Sequence, residues 1–191
     1  MKVVGINGSA RPDGNTALLI RAVFAALERQ DIECELLQLS GQPLHGCTAC
    51  GACVAQKNAR CAVTDDCFNA LFAKLAAADG IVLGSPVYSA GATAQIKAFI
   101  DRAAMVLAAN RGLFRHKVGA AVVAARRGGA ISAFDTLSHF LHSKEMFLVG
   151  ATYWNMAYGR NIGEVAEDAE GMANMKNLGE NMAWLLKKLH S

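Results

Sequence analysis

KVVGINGSARPDGNTALLIRAVFAALERQ, Lys2 to Gln30, contains three kinds of sequence in succession. KVVGI is a short apolar run rich in β-branched residues. NGSARPDGNT is polar and glycine-bearing, and TALLIRAVFAALERQ carries apolar residues at helical spacing. The stretch reads as strand, loop and helix, and the alternation returns along the chain. IECELLQL (32–39), GIVLG (80–84), VGAAVVAA (118–125) and FLVGATYW (147–154) read as further strands. DDCFNALFAKLAAAD (65–79), ATAQIKAFIDRAAMVLA (92–108), AISAFDTLSHFLHS (130–143) and a last segment ending AWLLKKLH read as helices. Five strands alternating with five helices predict an α/β fold, with one parallel sheet covered on both faces. Each parallel crossover needs a helix, and a strand buried on both sides reads as a continuous apolar run.

The chain has 191 residues, of which 53% are hydrophobic, enough for one full core. There is no internal repeat or linker, so residues 1–191 are expected to form a single domain with a cysteine-rich insertion at about 45–65. A net charge of +3 without a basic tract gives no footprint for nucleic acid. The apolar runs are shorter than the roughly 20 residues that span a bilayer, and MKVVGINGSARP reaches Gly and Asn before a signal-peptide core could form. The expected setting is the cytoplasm, with no membrane partner.

In an open α/β sheet, a ligand binds beyond the carboxyl ends of the strands, where the strand order reverses. For an order of 2-1-3-4-5 the crevice lies between NGSARPDGNT (7–16) and SPVYSAGAT (85–93). In the first loop Ser9, Asn15 and Thr16 offer side-chain donors, Arg11 brings a cation, and the following helix presents free N–H groups at its positive end. The loop lacks both G-x-G-x-x-G and G-x-x-x-x-G-K-[ST], so a terminal monophosphate suits it better than a pyrophosphate. In the second loop Pro86 fixes the backbone and Tyr88 offers a flat wall for a planar ring. Taken singly, Asn15 and Thr16 read equally well as helix caps, and Pro86 and Tyr88 as a turn. Together they point to a bound mononucleotide.

These residues resemble the flavodoxin-like flavoproteins, in particular the NAD(P)H-dependent FMN reductases, whose loops read G-S-x-R-x-x-G-N-T and G-S-P-V-Y. Gly8, Ser9, Arg11, Gly14, Asn15 and Thr16 match the first pattern, and Gly84, Ser85, Pro86, Val87 and Tyr88 the second. The resemblance implies a flavodoxin-like sheet, an FMN phosphate held by Ser9, Arg11, Asn15 and Thr16, and an isoalloxazine lined by Pro86, Val87, Tyr88 and Ser89. Arg126, Arg127 and Gly128 are further candidates on the third loop, where a solvated basic turn is an equal reading. The resemblance also implies NAD(P)H as electron donor and a homo-oligomer, dimer or tetramer.

Cys47, Cys50, Cys53 and Cys61 spell C-x2-C-x2-C-x7-C. Successive x2 gaps let one tight turn supply three thiolates to a cubane cluster while a distant fourth closes the cage. Ala62 stands where a ferredoxin has proline, so this is not a ferredoxin module. Within the flavodoxin-like group the pattern and its place after strand two resemble the iron-sulfur flavoproteins, which implies a [4Fe-4S] cluster on these four residues. Three other readings of the thiols stay open: a zinc site holding a loop that docks a partner, a C-x-x-C redox pair, and cysteines retained without metal in an NAD(P)H-dependent FMN or quinone reductase. Cys34 and Cys67 read as core and His45 as structural. The resulting expectation is an FMN-containing oxidoreductase that passes electrons between a reduced donor and an acceptor, each a small molecule or a protein.

Overall fold

Strand β1 (Lys2–Asn7) forms where the sequence is β-branched and apolar, and it is paired in parallel on both sides, with β2 (Glu33–Gln38) and β3 (Gly80–Pro86). The computed structural model describes residues 1–190. β4 (Val118–Ala125), buried at every position, lies beyond β3, and the sheet order is β2-β1-β3-β4-β5. This is the flavodoxin-like order 2-1-3-4-5 expected from the sequence. Helices α1 (Asn15–Glu28) and α6 (Ala169–Leu189) cover one face, where Val3, Leu19, Ile20, Val23, Met175 and Leu178 share a core. Helices α3 (Phe68–Ala77), α4 (Ala94–Ala109) and α5 (Ala130–His142) cover the other, around Ile6, Phe68, Phe72, Phe99 and Leu137. Among the described residues no helix is long and apolar enough to cross a membrane.

The fifth strand departs from the sequence reading. FLVGATYW is not one strand: β5 is only Phe147–Leu148, beside Val118 and Gly119, and β6 (Met156–Tyr158) resumes the pairing beside Val123 to Ala125. The reason is a buried amide on α6. Asn174, 2% exposed, accepts at Oδ1 from the Tyr153 N–H and the Thr152 hydroxyl, both at 2.9 Å, and donates to the carbonyls of Tyr153 and Trp154. Backbone groups that would have joined β4 are satisfied from the side, so the chain bulges away and returns. Two short elements were also not foreseen: α2 (Ala52–Gln56) inside the cysteine segment, and a single 3₁₀ turn at Glu164–Glu167.

Asn174→Ala should leave three backbone groups without their partner. A loss of about 1–3 kcal/mol in unfolding free energy is expected, measured by urea denaturation.

Candidate functional site

The loop after β1 is shaped by groups at the strand ends. Asn7, fully buried, donates from Nδ2 to the carbonyls of Arg11 and Pro12 and to Gln38 Oε1, while its Oδ1 accepts from the Ser9 N–H at 3.1 Å. Gln38, on the neighbouring strand, donates to the Ser9 carbonyl at 2.7 Å. Ser9 Oγ accepts from the Arg11 N–H at 3.1 Å. The loop is thus held shut around the start of α1, which has no side-chain cap. The first-turn N–H groups of such a helix lack intrahelical partners and favour an anion. Thr16 adds a further donor: its side chain is 1% exposed and its hydroxyl has no hydrogen-bond partner.

Asn15 has a different task from the one its type suggested. Its Nδ2 donates to the carbonyls of Gly159 and Asn161, and its Oδ1 accepts from the Gly163 N–H at 2.8 Å. Both ends of the amide are engaged, so Asn15 ties α1 to the loop after β6. That loop closes on itself through Glu164, which accepts from the N–H groups of Asn161 and Arg160 and is thereby held below the usual carboxylate range. Sequence reasoning missed this loop, because nothing local in GRNIG marks it as part of a crevice.

Ser9, Arg11, Asn15, Thr16, Pro86, Val87, Tyr88 and Arg126 line one cavity of about 200 Å³, joined by Ala124, Gly159 and Arg160. Arg11 is therefore not the lone cation there; Arg126 and Arg160 converge with it. Tyr88, 44% exposed, forms an outer wall. Ser89 sits outside the cavity lining, at the tip of a tight turn in which Tyr88 and Gly91 exchange backbone hydrogen bonds of 2.9 and 3.1 Å. Ser89 (φ 47°) and Ala90 (φ 64°) are both left-handed. Arg127 and Gly128 are likewise outside the lining, exposed in the turn before α5. Gly129 (φ 91°) completes that turn, and a Cβ there would lie 2.9 Å from Val87 and Ala90, so the third loop packs against the second only because this position is bare.

The cysteine segment packs against α4. Cys47, Cys50, Cys53 and Cys61 line one narrow cavity of about 20 Å³ with Thr48, Arg102, Met105 and Val106. All six cysteines are free thiols. Among the described residues no three His, Cys, Asp or Glu side chains are grouped to hold a single metal ion. The N–H of Ala52 and the Thr48 hydroxyl hydrogen bond to the Cys50 sulfur and hold its pKa below the ordinary thiol value.

The segment's backbone is fastened from outside. The Cys61 N–H donates to Asn69 Oδ1 at 2.8 Å, and Asn69 Nδ2 returns to the Cys61 carbonyl at 2.9 Å. The Ala59 N–H donates to Asn110 at 3.2 Å. Arg102, 1% exposed, donates to the carbonyls of His45 and Val63 and pairs with Asp66, both side chains fully buried. Burial pushes the Asp66 carboxyl up, but the Arg102 guanidinium and the N–H groups of His45 and Phe68 outweigh it and hold it low. His45 contributes backbone only; its imidazole is exposed, 3.9 Å from Asp65. Cys34 and Cys67 are half-buried against the two cores, and burial pushes the Cys34 thiol up to about 12. Sequence reasoning missed Arg102; the signal that could have found it is a charge on the apolar stripe of Phe99, Ala103 and Val106.

With this geometry in place, the likeness to known proteins is specific. Residues 1–161 match the NADPH-dependent FMN reductase family. The chain is 36% identical to an iron-sulfur flavoprotein of Methanocaldococcus jannaschii, covering 98% of each, and 32% identical to an iron-sulfur flavoprotein of Methanosarcina thermophila, covering 93% of this chain and 96% of that one. Its backbone resembles a WrbA-like flavodoxin of Agrobacterium tumefaciens with a TM-score of 0.66 and 18% identity, covering 98% of this chain and 97% of the other. The fold and the pocket define a flavodoxin-like flavoprotein. The chain belongs to the NADPH-dependent FMN reductase family, and it is a flavin-dependent oxidoreductase.

Thr16→Val removes the partnerless hydroxyl without changing shape and should weaken FMN retention about tenfold or more, as loss of a hydrogen bond to a charged group does. Arg11→Ala should weaken it partially, since Arg126 and Arg160 remain. Flavin fluorescence titration of the stripped protein reads both, and unchanged affinity in both variants would remove this loop from the phosphate site.

Proposed function

We propose that the chain passes electrons between a reduced donor and an acceptor through FMN and a [4Fe-4S] cluster held by Cys47, Cys50, Cys53 and Cys61. The observation that carries this reading is the gathering of all four motif cysteines around one cavity, on a chain in which Ser9, Arg11, Thr16 and Tyr88 line a separate cavity at the end of the sheet. The ligand sulfurs of a cubane stand farther apart than those around one ion, because the iron-sulfur cage lies between them. Four thiols spread around one cavity are therefore compatible with a cluster. The relatives named as iron-sulfur flavoproteins support the same choice.

When bound, flavin exchanges one or two electrons and the cluster one at a time, so the pair can join a two-electron donor to a one-electron carrier. The protein's own part is positioning and field. Thr16 and the first turn of α1 take the phosphate, with Arg11, Arg126 and Arg160 supplying positive charge. Pro86, Val87 and Tyr88 form the wall for the ring. Ala52 and Thr48 favour Cys50 as the thiolate, which is its ligand form. No side chain is assigned as nucleophile, acid or base. NAD(P)H is the proposed donor, stacking on the flavin without a motif of its own. A homo-oligomer and a reducing cytoplasm complete the reading, because thiolate ligands persist where disulfides do not.

A second reading, a cluster-free NAD(P)H-dependent FMN or quinone reductase, is supported by the family match over residues 1–161. Anaerobic purification followed by absorption spectroscopy and iron, sulfide and zinc assays separates the two. About four iron and four sulfide per chain are expected beside one FMN; flavin alone would support the second reading. Cys50→Ala should reduce bound iron to background while FMN binding is retained.

A further inference from the structure

Arg102 is the largest fully buried side chain in the described residues, and the fold does not account for all of it. Its terminal nitrogens have oxygen acceptors: Asp66 Oδ2, the His45 carbonyl at 3.2 Å and the Val63 carbonyl at 3.0 Å. Its guanidinium carbon lies 4.2 Å from the centre of the Phe68 ring. The Nε–H has no partner, one of three such buried side-chain atoms among the described residues. Arg102 also lines the cysteine cavity, so the unpaired donor belongs to a side chain that shares that cavity with all four motif cysteines. A buried N–H without an acceptor is costly, and native structures rarely leave one so.

We propose that Arg102 is a potential-setting residue: its Nε–H donates to a sulfur of the centre held by Cys47, Cys50, Cys53 and Cys61, and its fixed charge, locked by Asp66, favours that centre's reduced state. This inference rests on the cluster reading above. A clamp that only fastened residues 45 and 63 would need the terminal nitrogens and not Nε. A guanidinium stays protonated at any accessible pH, so the positive charge is permanent. The chemistry would be a one-electron gain with no proton: a thiolate-bound centre becomes more negative on reduction, and a buried cation with an N–H donor stabilises the added negative charge. The pairing with Asp66 prevents the guanidinium from swinging out to water. Asp66 in turn accepts from the N–H groups of His45 and Phe68, so the lock is anchored at both ends of the segment.

The test is an anaerobic redox titration of the purified holoprotein, followed by electron paramagnetic resonance, with iron and sulfide assayed in parallel. Arg102→Lys keeps a charge against Asp66 but has no Nε–H. The double substitution Arg102→Leu with Asp66→Leu removes both charges together and leaves no buried ion unpaired. Both variants should hold iron and sulfide at the unsubstituted level, while the reduced fraction at a fixed poise falls at least tenfold in the double variant, a potential lower by about 59 mV or more for one electron. Arg102→Lys should fall part of the way, and the flavin potential should not move. Iron-loaded variants titrating at the unsubstituted potential would overturn the proposal. So would loss of iron from Arg102→Lys, which would make Arg102 a builder of the segment only. Absence of iron and sulfide from the unsubstituted protein would instead defeat the cluster reading beneath it, and the first assay shows this before any variant is made.

Discussion

The N–H of Gly8 donates to the carbonyl of Gly84 at 2.8 Å, and the Thr93 hydroxyl donates to the Gly8 carbonyl at 2.7 Å. This contact between the ends of β1 and β3 requires two bare positions. A Cβ on Gly8 would lie 2.9 Å from the Gly84 carbonyl oxygen and from Ile96, and one on Gly84 would lie 2.6 Å from Ile20 and 2.9 Å from Thr16. Real Cβ atoms do not approach so closely, so any side chain there would move α1 off the sheet or push the two loops apart. The start of α1 and the Pro86 to Tyr88 segment face each other across one cavity because this contact holds. The topological switch point between β1 and β3 becomes a usable crevice through that close approach.

The cysteine segment obeys a different constraint. It contributes little apolar surface and carries left-handed backbone at Ala49, Gly51, Lys57 and Ala59, so local propensity does not hold it. Polar anchors reaching in from α3 and α4 do, chiefly Asn69, Asn110 and the Arg102–Asp66 pair. A buried ion pair gives little net stability once desolvation is counted, and its better-attested use is to specify one arrangement among several. Here the arrangement specified is the one that gathers four thiols. Helix α4 serves both cavities: its N-cap Thr93 braces the mononucleotide loops, and Arg102, roughly 13 Å along the axis by helical rise, borders the cysteines. No residue lines both cavities.

Much of this was legible in the chain. The alternation of apolar runs and amphipathic stretches indicated a parallel sheet, the flavodoxin-like resemblance supplied its order and Arg126, and the loop patterns marked Ser9, Arg11, Thr16, Pro86, Val87 and Tyr88, all of which the fold brings into one cavity. Asn15 was found for the wrong reason. Its type suggested a phosphate donor, and its amide holds the 159–163 loop. Ser89, Arg127 and Gly128 were adjacent in sequence to site residues and fell outside the lining, because a tight turn reverses direction within two residues. The break in the fifth strand was hidden because FLVGATYW is apolar throughout; the competing partner, Asn174, lies some twenty residues further on.

The sequence by itself determined the order of elements, the polar loop after β1 and the spacing of the four thiols, since each depends on residues close together along the chain. The tertiary structure alone decided that Arg160 and Gly159 join the cavity lined by Ser9, Arg11 and Tyr88, that Asn174 interrupts the last strand, and that Arg102 with its unpaired Nε–H stands at the cysteines. Those outcomes depend on polar groups meeting partners that are distant in sequence. Burial makes such pairings obligatory, and composition and periodicity carry no record of which distant partner a polar group will meet.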